Sequence, residues 1–387
     1  MIEAGQKKSK TMESAEQIGN NEDLLTEILL NLPTKSLIRF RLVSKQWMLL
    51  ISSARFCYSH TQTLHARGRL KPLAHLLDTC HSPPSVFGYL PVDLNTKQRL
   101  PYFDFIHMRD VTILQSSFGL LLCVSSKSSI IETSEYFICN PSTRKFKMIS
   151  FDDINDRPAA VHLAYDPLKS PHYKIISVLW MGKSDKKSVK IYSSETNSWS
   201  QSKTKFFTPG IELKYSVFFN GAIHWYSSGS ESMYFDVENE CFKPMPMPMR
   251  KALTRGTQSF GECGGHLNLA TSYWRQTFTV HEMKDDYSGW YLKYCINLHD
   301  KLSNPPFVSE FNCGTYLLFG CIQSDDDGGD SIRVVLADVQ AIAYNFKDQT
   351  LTRLQCRSLG VYRHQCFSFS SNYLCRACPY FETLSCI

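Results

Sequence analysis

The sequence predicts a mainly β protein, a six-bladed or degenerate β-propeller-like domain preceded by a small three-helix unit. Three observations predict it. A nine-residue element recurs six times at blade-like spacing. Short aromatic and β-branched runs alternate with turn residues through most of the chain. Near the N-terminus, Leu and Ile residues recur at helical spacing.

The recurring element starts on an apolar residue, passes through polar turn residues and closes on a bulky apolar one. VDLNTKQRL closes at Leu100, ICNPSTRKF at Phe146, IYSSETNSW at Trp199 and YFDVENECF at Phe242. EMKDDYSGW closes at Trp290 as a weak copy, and AYNFKDQTL at Leu351. Successive closures are 46, 53, 43, 48 and 61 residues apart. A blade of four strands occupies roughly forty to fifty residues, so six copies predict six blades rather than unrelated hairpins in a sandwich. The Asn, Asp, Ser and Thr residues inside the element can bond their own backbone and tolerate turn geometry. The closing Trp and Phe are expected to pack between blades. Ser117-Phe118-Gly119, Asn220-Gly221 and Gly264-Gly265 are hairpin signals, and Tyr215 to Ser227 reads as two aromatic strands across an Asn-Gly turn.

The N-terminal sixty or so residues have a different texture. Residues 1–19 are polar and read as a disordered leader. Leu24, Leu25, Ile28, Leu29 and Leu32 then form a broad helical stripe. Asn21 can cap this helix, with Glu22 and Asp23 in its first turn, where carboxylates favour the positive end of the dipole. Pro33 stops it. Thr34 is placed as the cap of a second helix carrying Leu37 and Phe40, with Val43 at its end. Ser44 is placed as the cap of a third, carrying Trp47, Leu50 and Ile51. Three short helices cannot enclose a good core alone. The unit is therefore expected to dock onto the rest of the chain or onto another protein.

These residues carry a resemblance. The segment from Glu22 to Phe56 resembles an F-box. Leu24, Leu25, Ile28 and Leu29 match the family's first helix, and Leu32-Pro33 its second Leu-Pro. Lys35, Ser36, Leu37, Arg39, Phe40, Val43, Ser44, Lys45 and Trp47 match the rest. The family's opening Leu-Pro, which touches the adaptor, is replaced here by Asn20-Asn21. Further on, NPSTRKF (140–146), AYDP (164–167) and NGAIHW (220–225) resemble, in that order, the plant F-box-associated domain, a kelch-like propeller. The resemblance implies a docking site for a Skp-family adaptor, and through it cullin, formed by Leu24, Leu25, Ile28, Leu29, Leu32, Pro33, Leu37, Phe40, Val43 and Trp47. It also implies that the β domain recruits a protein target for ubiquitination.

Composition and motifs exclude most rival chemistries. Charged residues are 20% and aromatics 13% of the 387, which disfavours disorder. The net charge of +6 comes from scattered residues. The basic groups around Arg353 to Arg363 and at Lys183, Lys186 and Lys187 make no continuous face, so no nucleic acid is expected. No stretch approaches the eighteen or so apolar residues of a membrane span, and residues 1–10 lack an apolar signal core. The fourteen cysteines have no framework spacing and read as reduced thiols in the nucleus or cytoplasm. Phosphate-binding glycine loops, a Gly-x-Ser-x-Gly elbow and HExxH are all absent, so no catalytic residues and no cofactor are expected.

Three smaller features have structural readings. Asp325, Asp326, Asp327 and Asp330, with Gly328 and Gly329, depart from an EF-hand loop and read as a solvated hairpin turn. Cys375 and Cys378, near His364, Cys366 and Cys386, make one Cys-x-x-Cys where a zinc ribbon needs two, so no metal is expected. Pro244, Pro246 and Pro248 alternate with Met245, Met247 and Met249 and read as a blade-to-blade connection.

The domain reading is a leader over 1–19, an F-box over 20–60, a linker over 61–84, an F-box-associated domain over 85–360 and an irregular tail over 361–387. The function implied is a non-catalytic substrate receptor of an SCF-type (Skp-cullin-F-box) ubiquitin ligase. The alternative is a ligand- or peptide-binding propeller without ligase association.

Overall fold

A computed structural model describes residues 21–77, 88–92, 103–108, 111–126, 134–153, 156, 158–181, 186–207, 211–248, 258–273, 277–297, 316–325, 329–336, 340–354 and 377–387. Among the described residues, four helices come first. α1 (Glu22–Leu30) is capped as expected: Asn21 Oδ1 accepts from the amides of Asp23 and Leu24, each at 3.1 Å. α2 (Thr34–Phe40) starts after Pro33, so Thr34 is not its cap. The Thr34 hydroxyl instead donates to the Glu382 carbonyl at 2.9 Å. α3 (Lys45–Ser52) is capped by Ser44, whose Oγ accepts from the Trp47 amide at 3.1 Å. α4 (Ala54–Ala66) is one helix more than the sequence predicts, and it occupies the start of the supposed linker. Its inward side is Phe56, Cys57, His60 and Thr61, half of it polar, so the apolar period is weak.

The strands form a ring. β1 (Ala74–Leu77) and β2 (Gly88–Pro91) pair antiparallel. Five four-stranded meanders follow. Blade I is β3 (Val111–Ser117), β4 (Leu120–Ser126), β5 (Ser134–Asn140) and β6 (Lys145–Ile149). Blade II is β7 (Pro158–Ala164), β8 (Lys174–Trp180), β9 (Lys186–Ser193) and β10 (Ser198–Phe207). Blade III is β11 (Ile211–Phe219), β12 (Ala222–Ser227), β13 (Glu231–Asp236) and β14 (Cys241–Pro246). Blade IV is β15 (Gln258–Cys263), β16 (His266–Tyr273), β17 (Thr277–Met283) and β18 (Trp290–Asn297). Blade V is β19 (Tyr316–Asp325), β20 (Gly329–Leu336), β21 (Gln340–Asn345) and β22 (Leu351–Leu354).

The first strand of each meander is innermost, and neighbouring first strands touch around the ring. β23 (Ala377–Tyr380) stands between β19 and β3 and pairs antiparallel with β1, Ala74 opposite Tyr380 and Leu77 opposite Ala377. The sheet β23-β1-β2 is therefore the sixth blade, closed by the chain's last strand. This corrects two boundaries: the linker reading over 61–84 contains β1, and the irregular tail contains β23. A four-residue strand holding Pro379, whose partner lies some three hundred residues earlier, leaves little local signal.

The repeated nine-residue element is the turn between the third and fourth strands of a blade. In four copies the residue two before the closure has positive φ: Arg144, Asn197, Glu240 and Gln349. Six before the closure, a side-chain oxygen of Asn140, Ser193, Asp236 or Asn345 accepts from the backbone two residues on. This Asx-type turn is why the element is polar in the middle. The weak copy differs, with positive φ at Tyr287 and Asp286 accepting from Ser288. The copy ending at Leu100 lies outside the described residues. The three hairpin signals are the inner turns of blades I, III and IV, each with two residues at positive φ, as a type I′ turn requires.

Among the closing aromatics, the two tryptophans hydrogen-bond across to a neighbouring blade. Trp199 donates its Nε1 to the Ser150 carbonyl of blade I at 2.8 Å, and Trp290 donates to Pro246 of blade III at 2.7 Å. Phe242 stays on Trp225 and Phe235 of its own blade, and Phe146 is exposed beside Phe137. Indole brings both ring area and a donor to the neighbouring blade, and a phenyl ring has no donor. The Pro-Met segment is likewise not all connection. Cys241–Pro246 is the outer strand of blade III, where an edge position tolerates proline, and Met245 and Met247 are buried.

Substitutions at Gly119 and His224, with Gly261→Ala as the control, test this architecture. At Gly119 (φ +91°) a Cβ would meet the Thr383 side chain and lie 2.9 Å from the Phe381 carbonyl. Gly119→Ala should cost about 1–3 kcal/mol in denaturant unfolding, whereas Gly261→Ala, with open space, should not. His224 is fully buried between Tyr234 and Tyr287, and burial pushes its imidazole down from 6.5 to about 4. Its folded value is the lower one, so stability is full above pH 6.5 and falls with pH, as the unfolded chain takes up the proton first. The loss should reach about 2 kcal/mol by pH 5, and His224→Phe should flatten that slope.

Candidate adaptor-docking site

The helical unit divides its apolar residues between a core and an outer face. Leu25, Leu29 and Leu37 are buried with Ile51, Phe56 and Cys57, and the cluster is completed from the other end of the chain by Leu384. Leu32, Phe40 and Trp47 are half-buried at its margin, with Trp47 edge-on to Phe40 at 5.5 Å. His60 Nε2 donates to the Leu32 carbonyl at 2.9 Å, and burial lowers its pKa. The neutral ring therefore fixes the end of α1 where the chain turns into Pro33.

The outer face is Leu24 and Ile28 on α1, Pro33, Val43 after α2, and three residues not among those the F-box resemblance marks: Leu42, Met48 and Leu49. Leu42 is 89% and Leu49 68% exposed, unusual for leucine in a folded unit. Ten residues were expected at the interface, and the structure separates them. Leu24, Ile28, Pro33 and Val43 face outward, Leu32, Phe40 and Trp47 are partly covered, and Leu25, Leu29 and Leu37 hold the unit together. Met48 and Leu49 lie off the Trp47–Leu50–Ile51 stripe of α3, and that mismatch was the available signal. Exposed Glu22, Asp23 and Glu27 mark α1, and exposed Arg39, Lys45 and Arg55 mark the later helices.

The unit is fastened to one end of the ring. Gln62 Nε2 donates to the carbonyls of Pro167 and Leu168, at 3.1 and 2.9 Å, in the inner turn of blade II. Lys35 pairs with Glu382 at 3.2 Å. Residues 381–387 lie between the helices and blade I. There Asn140 Nδ2 donates to the carbonyls of Thr383 and Ser385, and both hydroxyls donate to the Phe118 carbonyl. The NPSTRKF and AYDP segments thus have structural work: the first holds the C-terminal residues and the second receives α4.

Other candidate chemistry resolves into structure. His162 Nδ1 and Ser216 Oγ are 2.7 Å apart, but His162 Nε2 accepts from the Trp225 indole at 3.1 Å. The ring proton is then on Nδ1 and is donated to Ser216, the reverse of what a nucleophilic serine needs. Lys187 is buried with its Nζ 3.3 Å above the Trp180 ring. Asp325 and Gly329 are register partners of β19 and β20, with 326–328 outside the described residues. Cys378 is buried in β23, while His364, Cys366 and Cys375 lie outside the described residues. Among the described residues no group of three metal-ligating side chains gathers.

The geometry defines a class: a six-bladed propeller with a four-helix docking unit clamped to one end. Comparison gives the family. Residues 21–59 match the F-box domain, and residues 92–277 match the F-box associated beta propeller domain. An Arabidopsis thaliana F-box protein is 29% identical over 377 residues, covering 88% of this chain and 86% of that relative. A second F-box protein of that plant is 28% identical, covering 59% and 64%. An F-box/kelch-repeat protein of the same plant is 23% identical, covering 64% and 70%. The chain belongs to the F-box proteins that carry an F-box-associated propeller, an architecture that supports a substrate-adaptor role in SCF complexes generally.

The core and the face respond differently to mutation. Leu37→Ala should cost about 2–5 kcal/mol as a cavity in the helical core, read in the unfolding of α1–α4. Leu49→Ala should change stability by less than about 0.5 kcal/mol.

Proposed function

We propose that this chain is a non-catalytic substrate receptor of an SCF-type ubiquitin ligase. Its helical unit binds a Skp-family adaptor through Leu24, Ile28, Pro33, Leu42, Val43, Met48 and Leu49, and through the adaptor it joins cullin. One observation carries the reading: the F-box leaves these apolar side chains uncovered after its own core and its contact with the propeller are complete. Each such side chain covered by a partner stabilises the complex by up to about 1.5–3 kcal/mol.

The protein target is assigned to the opposite end of the ring. The helices sit at the end of the short inner turns. Strand direction places the blade-joining strand ends, among them Pro246, Gln258, Asn297, Tyr316, Leu354 and Ala377, at the other end. Loops on a rigid scaffold are where recognition resides. The receptor then contributes proximity, raising the effective concentration of target lysines near the ubiquitin carrier. The nucleus or cytoplasm is the compartment this role needs.

The test is calorimetric titration of the purified full-length chain with a plant Skp-family adaptor. Ile28→Asp with Leu49→Asp should weaken binding at least about a hundredfold while the unfolding temperature stays put. Undiminished affinity in that double variant overturns the interface. An unmodified chain that ignores the adaptor yet retains a ligand favours the propeller without ligase association.

A further inference from the structure

We propose that Trp180, with Lys203 and Lys205 of the same blade, is a docking surface for an acidic peptide segment of the protein target that carries an aromatic side chain. Trp180 closes β8 and is 51% exposed, whereas Lys187, its register partner on β9, is buried. The Lys187 Nζ lies 3.3 Å from the centre of the indole ring. One part of the ring is thus held by a charge, and the rest is open to solvent. Attraction between the ammonium and the π face fixes the ring. The indole is therefore ordered before a partner arrives, which lowers the entropy lost on docking.

Position and charge narrow the partner. β8 leaves the inner turn of blade II, where Gln62 binds Pro167 and Leu168, so Trp180 stands at the far end of the ring. That is the end assigned above to the target, and the proposal rests on that assignment. The strands of blade II carry Lys174, Lys186, Lys187, Lys190, Lys203 and Lys205 and no Asp or Glu. Each of the other four-stranded blades has a carboxylate in its strands, such as Glu135, Glu212, Glu262 and Asp330. Lys174 opens β8 at the helix end, and Lys190 is taken by Asp152 and Asp156 at 2.8 Å each. Lys203 and Lys205 are exposed on β10, with Lys205 opposite Ser188, the residue after Lys187. Two strand spacings, about 10 Å, separate β10 from β8. An extended peptide of a few residues spans that distance.

The chemistry of the patch selects what binds. The Lys187 ammonium against the ring offsets the negative potential of the indole face, so a second cation gains little there. A neutral aromatic ring still gains from stacking on it. Carboxylates beside that ring meet Lys203 and Lys205 as charge-assisted pairs. A fixed aromatic anchor with charges around it is the usual make-up of a strong contact between proteins. Two exposed lysines are too few to track a phosphate backbone, which favours a peptide over a nucleic acid.

The test is fluorescence anisotropy of the purified full-length chain with a fluorescein-labelled glutamate–tyrosine copolymer, at about 50 mM salt so that screening is weak. The copolymer should bind. Trp180→Ala should weaken it about tenfold or more, and so should Lys203→Glu with Lys205→Glu, with the unfolding temperature unchanged in both. Trp180→Phe should retain most of the affinity, since a ring remains to stack. Ile28→Asp with Leu49→Asp should leave copolymer binding as it was. Loss of copolymer binding beside intact adaptor binding therefore strikes this surface alone, and the reverse result strikes the adaptor interface alone. A chain that ignores the copolymer, or undiminished affinity in either the Trp180→Ala or the double-lysine variant, overturns the proposal. A lysine–tyrosine copolymer or a single-stranded oligothymidylate that binds as tightly overturns the acidic-peptide assignment.

Discussion

The structure depends on the pairing of β23 with β1. Ala377–Tyr380 supplies the innermost strand of a blade whose other strands come from residues 74–91. A propeller ring has no stable open form of comparable burial. Each blade buries one face on its neighbour, and the clusters run in sequence from blade VI and I through to IV and V. The last strand therefore removes two unpaired edges at once, and it converts a row of hairpins into a closed fold.

The same segment then continues into the helices. Thr383 and Ser385 bind the Phe118 turn, Glu382 meets Thr34 and Lys35, and Leu384 enters the core with Leu25 and Leu29. The helical unit is too small to bury its own apolar residues, and what it lacks is provided by the end of the chain rather than by the blades. This division has a functional consequence. The residues that satisfy the core are spent on folding, and those left outside, such as Ile28 and Leu49, are free for a partner.

How much of this was legible in the sequence follows from how local each signal is. The α1 and α3 caps at Asn21 and Ser44, the three type I′ turns and the recurring turn element could be read because a side chain bonds its own neighbouring backbone. The ring closure could not, since β23 is short, holds Pro379 and finds its partner across most of the chain. α4 was hidden by an inward face that mixes Phe56 with His60 and Thr61. At the site, the helical period identified Leu24 and Ile28 but passed over Leu42, Met48 and Leu49, and it did not show which side of each helix would be covered. That was decided by Leu384, which lies outside the F-box segment altogether.

Hydrogen exchange on the full chain and on a chain ending at Arg376 tests the central claim most directly. The account predicts that removing residues 377–387 releases amide protection in α1–α4, in β1 and in the Phe118–Gly119 hairpin together. Protection of the helices that is unchanged in the shortened chain would contradict it.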